Sequence, residues 1–270
     1  MQKLAASQPD YALLVRTRDE RDLGRIVETH VQAVIYQPQP PPPWLAGIAA
    51  AVESGTFVIP RTILPLATAD DIAKWLARNI CDDGLAADVR DELFGDILGL
   101  VAKLGDYAGA SRFMLRIFTA EPTTECGFHV DTVPCGASPC GLLRVYNGAG
   151  TAFVEPDNVT SIPDFYRYLS RRERLERERR DARANGDTSV LDRVERDIVC
   201  LDAGHSFLRR PGEIYIAPPG SIVAFKHLDA GLHWTSHAKA KAWIHCSPMH
   251  GVPRLVVNVT SPEPALRRPR

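Results

Sequence analysis

Phe128-His-Val-Asp131 places an imidazole and a carboxylate two residues apart in a run of strand-forming residues. Residues two apart in a strand project from the same face, so His129 and Asp131 aim at one point while Phe128 and Val130 turn away. A third ligand must come from a strand distant in sequence, and His245 in Ala242-Trp-Ile-His-Cys246 meets that requirement. Two neutral imidazoles and one carboxylate on a single face leave three positions of an octahedral ion open, as in the non-haem Fe(II) oxygenases. His-x-Asp spacing alone recurs by chance. What singles this pair out is its strand context, the Gly148-Ala-Gly150 turn after the next strand, the late histidine and a trailing arginine.

That arginine is Arg254, nine residues after His245, past the turn Ser247-Pro-Met-His-Gly-Val-Pro253 and at the head of Arg254-Leu-Val-Val-Asn-Val259. A guanidinium fork binds a carboxylate through two parallel hydrogen bonds. A co-substrate that chelates the metal at one end needs such a cation at the other, so the pattern predicts Fe(II) with 2-oxoglutarate anchored by Arg254. Hydroxylation of an unidentified substrate is the expected outcome. Zinc in the same triad, in a non-catalytic metal-handling protein, is the alternative.

Rival readings stay open at this point. His129, Asp131 and Arg254 could form hydrogen-bonded pairs that serve stability alone. Cys126, Cys135 and Cys140 with His129 could hold zinc, although their spacings are looser than a paired-cysteine knuckle. His250 rivals His245 but falls in a Pro/Gly turn that fixes its direction poorly. The stretch carrying His227, His233 and His237 reads as an exposed polar loop; in a barrel it would lie at the pocket mouth, with His233 and Trp234 touching substrate. Arg144 and Tyr146 are further candidate substrate contacts.

The elements that must position these groups follow from pattern. Tyr36-Gln-Pro-Gln-Pro-Pro-Pro-Pro-Trp44 cannot be helical and marks an extended hinge or strap, closing an N-terminal segment over residues 1–43. From Trp44 to Leu104 apolar residues recur at helical spacing, with Thr68-Ala-Asp-Asp71 as a capping signal, and three helices are expected. Beyond Ser111 come short β-rich runs at Phe113–Thr119, Gly127–Val133, Leu142–Tyr146, Glu213–Ala217, Ile222–Phe225, Ala242–Cys246 and Leu255–Val259. Short connections between them suggest antiparallel pairing in a sandwich or barrel. Residues 164–199, dense in arginine and glutamate, read as an inserted helical hairpin broken at Asn185-Gly186, a solvated element laced with pairs such as Glu173 to Arg177 and Glu176 to Arg180. An insertion between strands need not contribute to a barrel core, so the hairpin is expected to be dispensable for the metal site. Residues 44–262 would form one catalytic-type domain and 263–270 a disordered tail.

Composition bounds the rest. With 270 residues, 45% hydrophobic, and a net charge of −1, the chain can bury a large core and carries no general field for nucleic acid or membranes. No apolar run is long enough to span a bilayer and the N-terminus lacks a secretion signal, so a cytoplasmic address is expected, with the six cysteines reduced.

Cys126-Gly-Phe-His-Val-Asp-Thr-Val-Pro134, Arg144-Val-Tyr-Asn-Gly-Ala-Gly-Thr151 and Ile244-His-Cys-Ser-Pro248 with Arg254-Leu-Val-Val together resemble the bacterial family called domain of unknown function 1826, over roughly residues 30 to 260. The resemblance implies a fold and a metal site but no activity. Extra residues at Cys135-Gly-Ala-Ser-Pro-Cys140 and the Arg/Glu-rich insertion depart from that family pattern where a pocket rim would be. Similarity of the triad to the broader Fe(II)/2-oxoglutarate oxygenase superfamily implies an α+β protein with a double-stranded β-helix core of jelly-roll or cupin type and supporting N-terminal helices.

Overall fold

A computed structural model describes residues 12–80, 84–122, 126–232, 237, 241 and 243–262. The described residues include twelve strands: β1 (Leu13–Thr17), β2 (Val31–Tyr36), β3 (Thr62–Ala67), β4 (Phe113–Ala120), β5 (Thr132–Val133), β6 (Cys140–Val145), β7 (Ala152–Phe153), β8 (Tyr215–Ile216), β9 (Ile222–Lys226), β10 (Leu228–Asp229), β11 (His245–Cys246) and β12 (Arg254–Thr260). The α-helices are α1 (Leu45–Glu53), α2 (Ala69–Asn79), α3 (Ala87–Ala108), α4 (Ile162–Asn185) and α5 (Thr188–Gly204). No helix among the described residues is long and apolar enough to cross a membrane.

Seven strands form one mixed sheet in the order β1-β2-β9-β6-β12-β4-β3, antiparallel except for the β1–β2 pair. A small sheet, β11-β7-β8, accompanies it. Alternation along the strands of the large sheet gives it two distinct apolar faces. Leu115, Ile117, Leu142, Ala224, Leu255, Val257 and Val259 pack outward against α1, α2 and α3. Leu143, Val145, Val223, Phe225 and Val256 turn the other way, onto Phe153, Ala217 and Trp243 of the small sheet. On the far side of the small sheet, Phe128, Ala152, Val154, Ile244 and Cys246 meet α4 and α5 through Phe165, Tyr168, Leu175, Val194 and Ile198. The layers are therefore helices, large sheet, small sheet, helices.

Several expectations hold and several need correction. Thr68 and Asp71 form the expected capping box at α2. Asn185 ends α4, Gly186 follows at φ 68°, and Asp187 caps α5, so the hairpin breaks where the sequence places it. Residues 13–36 are not a separate N-terminal segment: β1 and β2 extend the large sheet beside β9. The stretch 44–104 holds three helices but also β3, because Pro65 cannot sit inside a helix and is tolerated on an edge strand whose register slips between Leu64 and Ala67. The single strand expected over Gly127–Val133 is instead one isolated bridge at His129 followed by the two-residue β5. The hairpin is not merely solvated: Arg172 and Arg179 are buried, and their pairs include Arg172–Glu176, Arg179–Glu176 and Arg172–Asp202. Residues 263–270 lie outside those described.

Candidate metal centre

His129 and His245 face one another across a narrow antiparallel contact. Each backbone N–H donates to the other's carbonyl, at 2.8 and 3.0 Å, and this reciprocal pairing fixes both Cβ atoms on the same face. The rings lie 4.5 Å apart between centroids. His245 is held further by β7, opposite Phe153, and by Trp243, whose indole stacks on its imidazole at 4.2 Å. Asp131 follows as the chain turns into β5, its carbonyl accepting from the Leu228 N–H at 2.9 Å.

The ligand atoms of His129, Asp131 and His245 all lie within 4.8 Å of one another, the one such group among the described residues. His129 Nδ1 donates to the Gly127 carbonyl at 2.9 Å and His245 Nδ1 to the Trp243 carbonyl at 3.0 Å. Those bonds commit Nδ1 as the protonated nitrogen of the neutral ring, which leaves the Nε2 lone pairs for a cation. His129 Nε2 stands 3.6 Å from Asp131 Oδ1. Two imidazole nitrogens and a carboxylate oxygen, pre-oriented by backbone carbonyls, fit a first-row divalent ion such as Fe(II) or zinc.

The electrostatics suit such an ion. Burial opposes the charged form of Asp131, yet His245, His227, His129 and Arg116 hold its carboxyl below the usual range. Burial, with His129 beside it, pushes His245 down to about 3, so it is neutral near pH 7. His129 behaves differently: burial opposes its charge, but the Cys126 thiol at 3.6 Å and Asp131 hold it up at about 9. A cation must displace that proton on binding.

Arg254 opens β12 and points into the same cavity of about 350 Å³, which His129, Asp131, His245, Arg116, Phe118 and Asn258 also line. Its guanidinium is buried, donates from Nη1 to the Ala149 carbonyl at 3.0 Å, and leaves Nε without a partner. No carboxylate among the described residues pairs with it. Gly148, at φ 66°, lets it pass, since a Cβ there would lie 3.1 Å from Arg254 Cγ.

The other candidates fall elsewhere. Arg144 of β6 and Tyr146, just past its end, lie two residues apart and face the helices, where both bind Asp96 of α3; the structure does not bring them to the triad. His233 and Trp234 lie outside the described residues. His250 is exposed in its turn and takes no part in the triad. The cysteine set does not assemble: Cys140 packs on the helix side of the large sheet, Cys135 is exposed, and only Cys126 approaches His129.

Sequence reasoning missed two supports. His227 is no exposed loop residue: it is buried, with Nε2 3.8 Å from Asp131 Oδ2. Continuing the alternation Val223, Phe225 by one step puts it on the inward face, which was the available signal. The second support is the hairpin. Tyr168 of α4 accepts from the Phe128 N–H at 3.2 Å and donates to Asp202 of α5 at 2.6 Å, while Arg172 grips the same carboxylate. Arg172 packs so close to Gly127 that a Cβ there would lie 2.0 Å from its Nε. The helical hairpin therefore clamps the segment that carries His129, and the expectation that it is dispensable is corrected.

Together these observations define a mixed α/β protein with a His-Asp-His candidate metal centre between a large and a small sheet. The chain belongs to the family described as Protein of unknown function (DUF1826), whose profile matches residues 17–259. No curated protein sequence is similar to it. Among solved structures, it is similar to the rice dioxygenase for auxin oxidation, with 13% identity over 92% of this chain and 82% of that chain and a TM-score of 0.42. A Pseudomonas putida prolyl-4-hydroxylase matches at 12% identity over 88% and 97%, with a TM-score of 0.37. The dioxygenase for auxin oxidation 1 of Arabidopsis thaliana, in complex with 2-oxoglutarate, matches at 10% identity over 92% and 91%, with a TM-score of 0.39. Likenesses this distant leave any functional reading to rest on the side chains themselves.

Proposed function

We propose that the protein is a non-haem Fe(II)/2-oxoglutarate-dependent oxygenase whose facing sheets form a double-stranded β-helix. The observation that carries this reading is a buried guanidinium, Arg254, with no carboxylate partner among the described residues, in the same cavity as a three-donor face. A charge buried without a counter-ion is costly, and a dianionic co-substrate offsets that cost. His129, Asp131 and His245 would hold the iron through Nε2, a carboxylate oxygen and Nε2. When bound, Fe(II) and 2-oxoglutarate would reduce dioxygen, the oxidant, with 2-oxoglutarate going to succinate and carbon dioxide and the second oxygen atom available for C–H hydroxylation. The chain's own contribution is orientation. Carbonyls of Gly127 and Trp243 fix the imidazole tautomers, Arg254 fixes the carboxylate end of the co-substrate, and Phe118, Leu143, Val145 and Val256 wall the cavity against water.

The test needs no knowledge of the substrate. Anaerobic protein loaded with Fe(II) and 2-oxoglutarate is exposed to air, and succinate is measured against a His245→Ala control. Succinate above the control is expected, from slow uncoupled turnover. No succinate together with no binding of 2-oxoglutarate overturns the reading in favour of a metal-handling protein that uses the same triad for zinc.

A further inference from the structure

Arg254 is not the only cation in the cavity: Arg116 and Arg61 also line it. The register of β12 on β4 sets Arg254 opposite Ala120 and Asn258 opposite Arg116. Four residues of strand separate those two levels, about 13–14 Å along the sheet. Both arginines sit at inward positions of the large sheet, alternating with the outward-facing Leu115, Ile117, Leu255 and Val257. Arg254 stands on the side of the Cys126 and Cys246 thiols, whereas the charge of Arg116 acts on Asp131. The metal triad therefore shares its cavity with two cationic levels of the large sheet.

Among the described residues no carboxylate forms an ion pair with Arg116 or Arg61. Glu121, which also lines the cavity, is exposed, and Arg61 lies over the Phe118 ring at 5.5 Å. Asn258 stands opposite Arg116 in the register and lines the same cavity. Between the two cationic levels the wall is apolar: Phe118, Leu143, Val145 and Val256.

The charge balance points the same way. A divalent ion, the Asp131 carboxylate, dianionic 2-oxoglutarate and Arg254 cancel one another. That leaves the half-buried Arg116, which no carboxylate among the described residues pairs with, while Arg61 and Glu121 are both exposed; a monoanion neutralises the charge of Arg116. At about 350 Å³ the cavity is at the small end of the range for small-molecule sites. Once the co-substrate is seated, only a small ligand fits.

We propose that Arg116, with Asn258 beside it and Arg61 at the rim, is a second anion site, and that it receives a small carboxylic acid with an apolar body. Calling that ligand the substrate rests on the oxygenase reading; the anion site itself does not.

The experiment is calorimetric titration of full-length protein, held anaerobically with Fe(II) and 2-oxoglutarate, with hexanoate and benzoate and with their neutral amides. The acids are expected to bind about tenfold or more tighter than the amides, reflecting charge-assisted hydrogen bonds to the fork. Arg116→Gln should erase that preference and leave 2-oxoglutarate affinity within about twofold, while Arg254→Gln should do the reverse. Arg116→Lys, which keeps the charge, should retain part of the preference, and an unchanged unfolding midpoint shows that neither Arg116 variant acts through misfolding. The proposal is overturned if wild type binds neither acid, if acids and amides bind alike, or if Arg116→Gln weakens 2-oxoglutarate instead. Should 2-oxoglutarate fail to bind wild type while acid binding persists and depends on Arg116, the oxygenase reading falls and the anion site stands.

Discussion

Replacing Tyr168 with phenylalanine removes one oxygen from the contact between the helical hairpin and the segment that carries His129. That oxygen accepts from the buried Phe128 N–H at 3.2 Å and donates to Asp202 at 2.6 Å. Burial, with the Asp202 carboxylate beside it, pushes the phenol's pKa up, so it remains a protonated donor at every ordinary pH. Asp202 keeps three contacts with Arg172 at 3.1–3.2 Å after the change, so its loss is partial. Phe128 N–H keeps nothing. An orphaned buried donor costs about 1–3 kcal/mol, and with a share of the bond to the carboxylate the total is about 2–4 kcal/mol. Freed of its clamp, the His129 segment should also bind metal about 10- to 100-fold more weakly, the range typical of lost outer-sphere support. Urea unfolding and competitive metal titration measure the two effects. Arg193→Ala on the same hairpin, where the ion pairs are half exposed, serves as the control and should change neither. If Tyr168→Phe unfolds at the wild-type midpoint and binds metal as tightly as wild type, the hairpin is not a clamp.

Three further outcomes are expected. His129→Ala, Asp131→Ala and His245→Ala should each abolish stoichiometric Fe(II) or zinc binding, read by elemental analysis after desalting, while circular dichroism stays near wild type, since open sites contribute less to folding than closed ones; full occupancy in all three would remove the triad. Arg254→Lys should weaken 2-oxoglutarate far more than metal, because a point charge replaces a planar fork, and the Fe(II)–2-oxoglutarate charge-transfer band would report it. The metal-free protein should lose stability as pH falls from 6.5 to about 4, because burial lowers the pKa of His227 to about 4 and that of His245 to about 3, and the unfolded chain then binds protons that the folded one refuses. Each histidine contributes a loss on the order of 3 kcal/mol, and a His227→Phe variant should roughly halve that part of the slope of the urea-midpoint profile.

What the sequence discloses depends on how local its signals are. Strands β4 and β12 are legible because their inward and outward residues alternate over seven or eight positions, long enough for the period to show. The capping box at Thr68 and the break at Gly186 are legible because each is encoded within four residues. Strands β5, β7, β8 and β11 are two residues long, and no period can be read from two residues; they exist because a neighbouring backbone is there to pair with. The triad residues are readable as types at a spacing, but their convergence depends on the His129–His245 pairing, which lies between segments over a hundred residues apart. Arg144 and Tyr146 show how parity misleads. They sit on and just past the right strand, and one step in register sends them to Asp96 on the helix side instead of into the cavity. The clamp through Tyr168, Arg172 and Asp202 is hidden for another reason, since arginine and glutamate in a helix look the same in sequence whether solvated or buried.

The order of strands in the large sheet bears on how the chain is made. β12, the last strand among the described residues, lies in the interior of that sheet, between β6 and β4. Until it leaves the ribosome, β4 and β6 each present an open edge, and apolar rows that later face the helices, such as Leu115 and Ile117 on one strand and Leu142 on the other, have no strand between them. At about 5–20 residues per second, the growing chain spends several seconds in that half-paired state after β6 is complete. Nascent chains stalled before residue 254 should therefore recruit holdase chaperones more strongly than chains stalled beyond residue 262. The finished sheet is sealed from its middle, and its most hazardous intermediate is the one just short of completion.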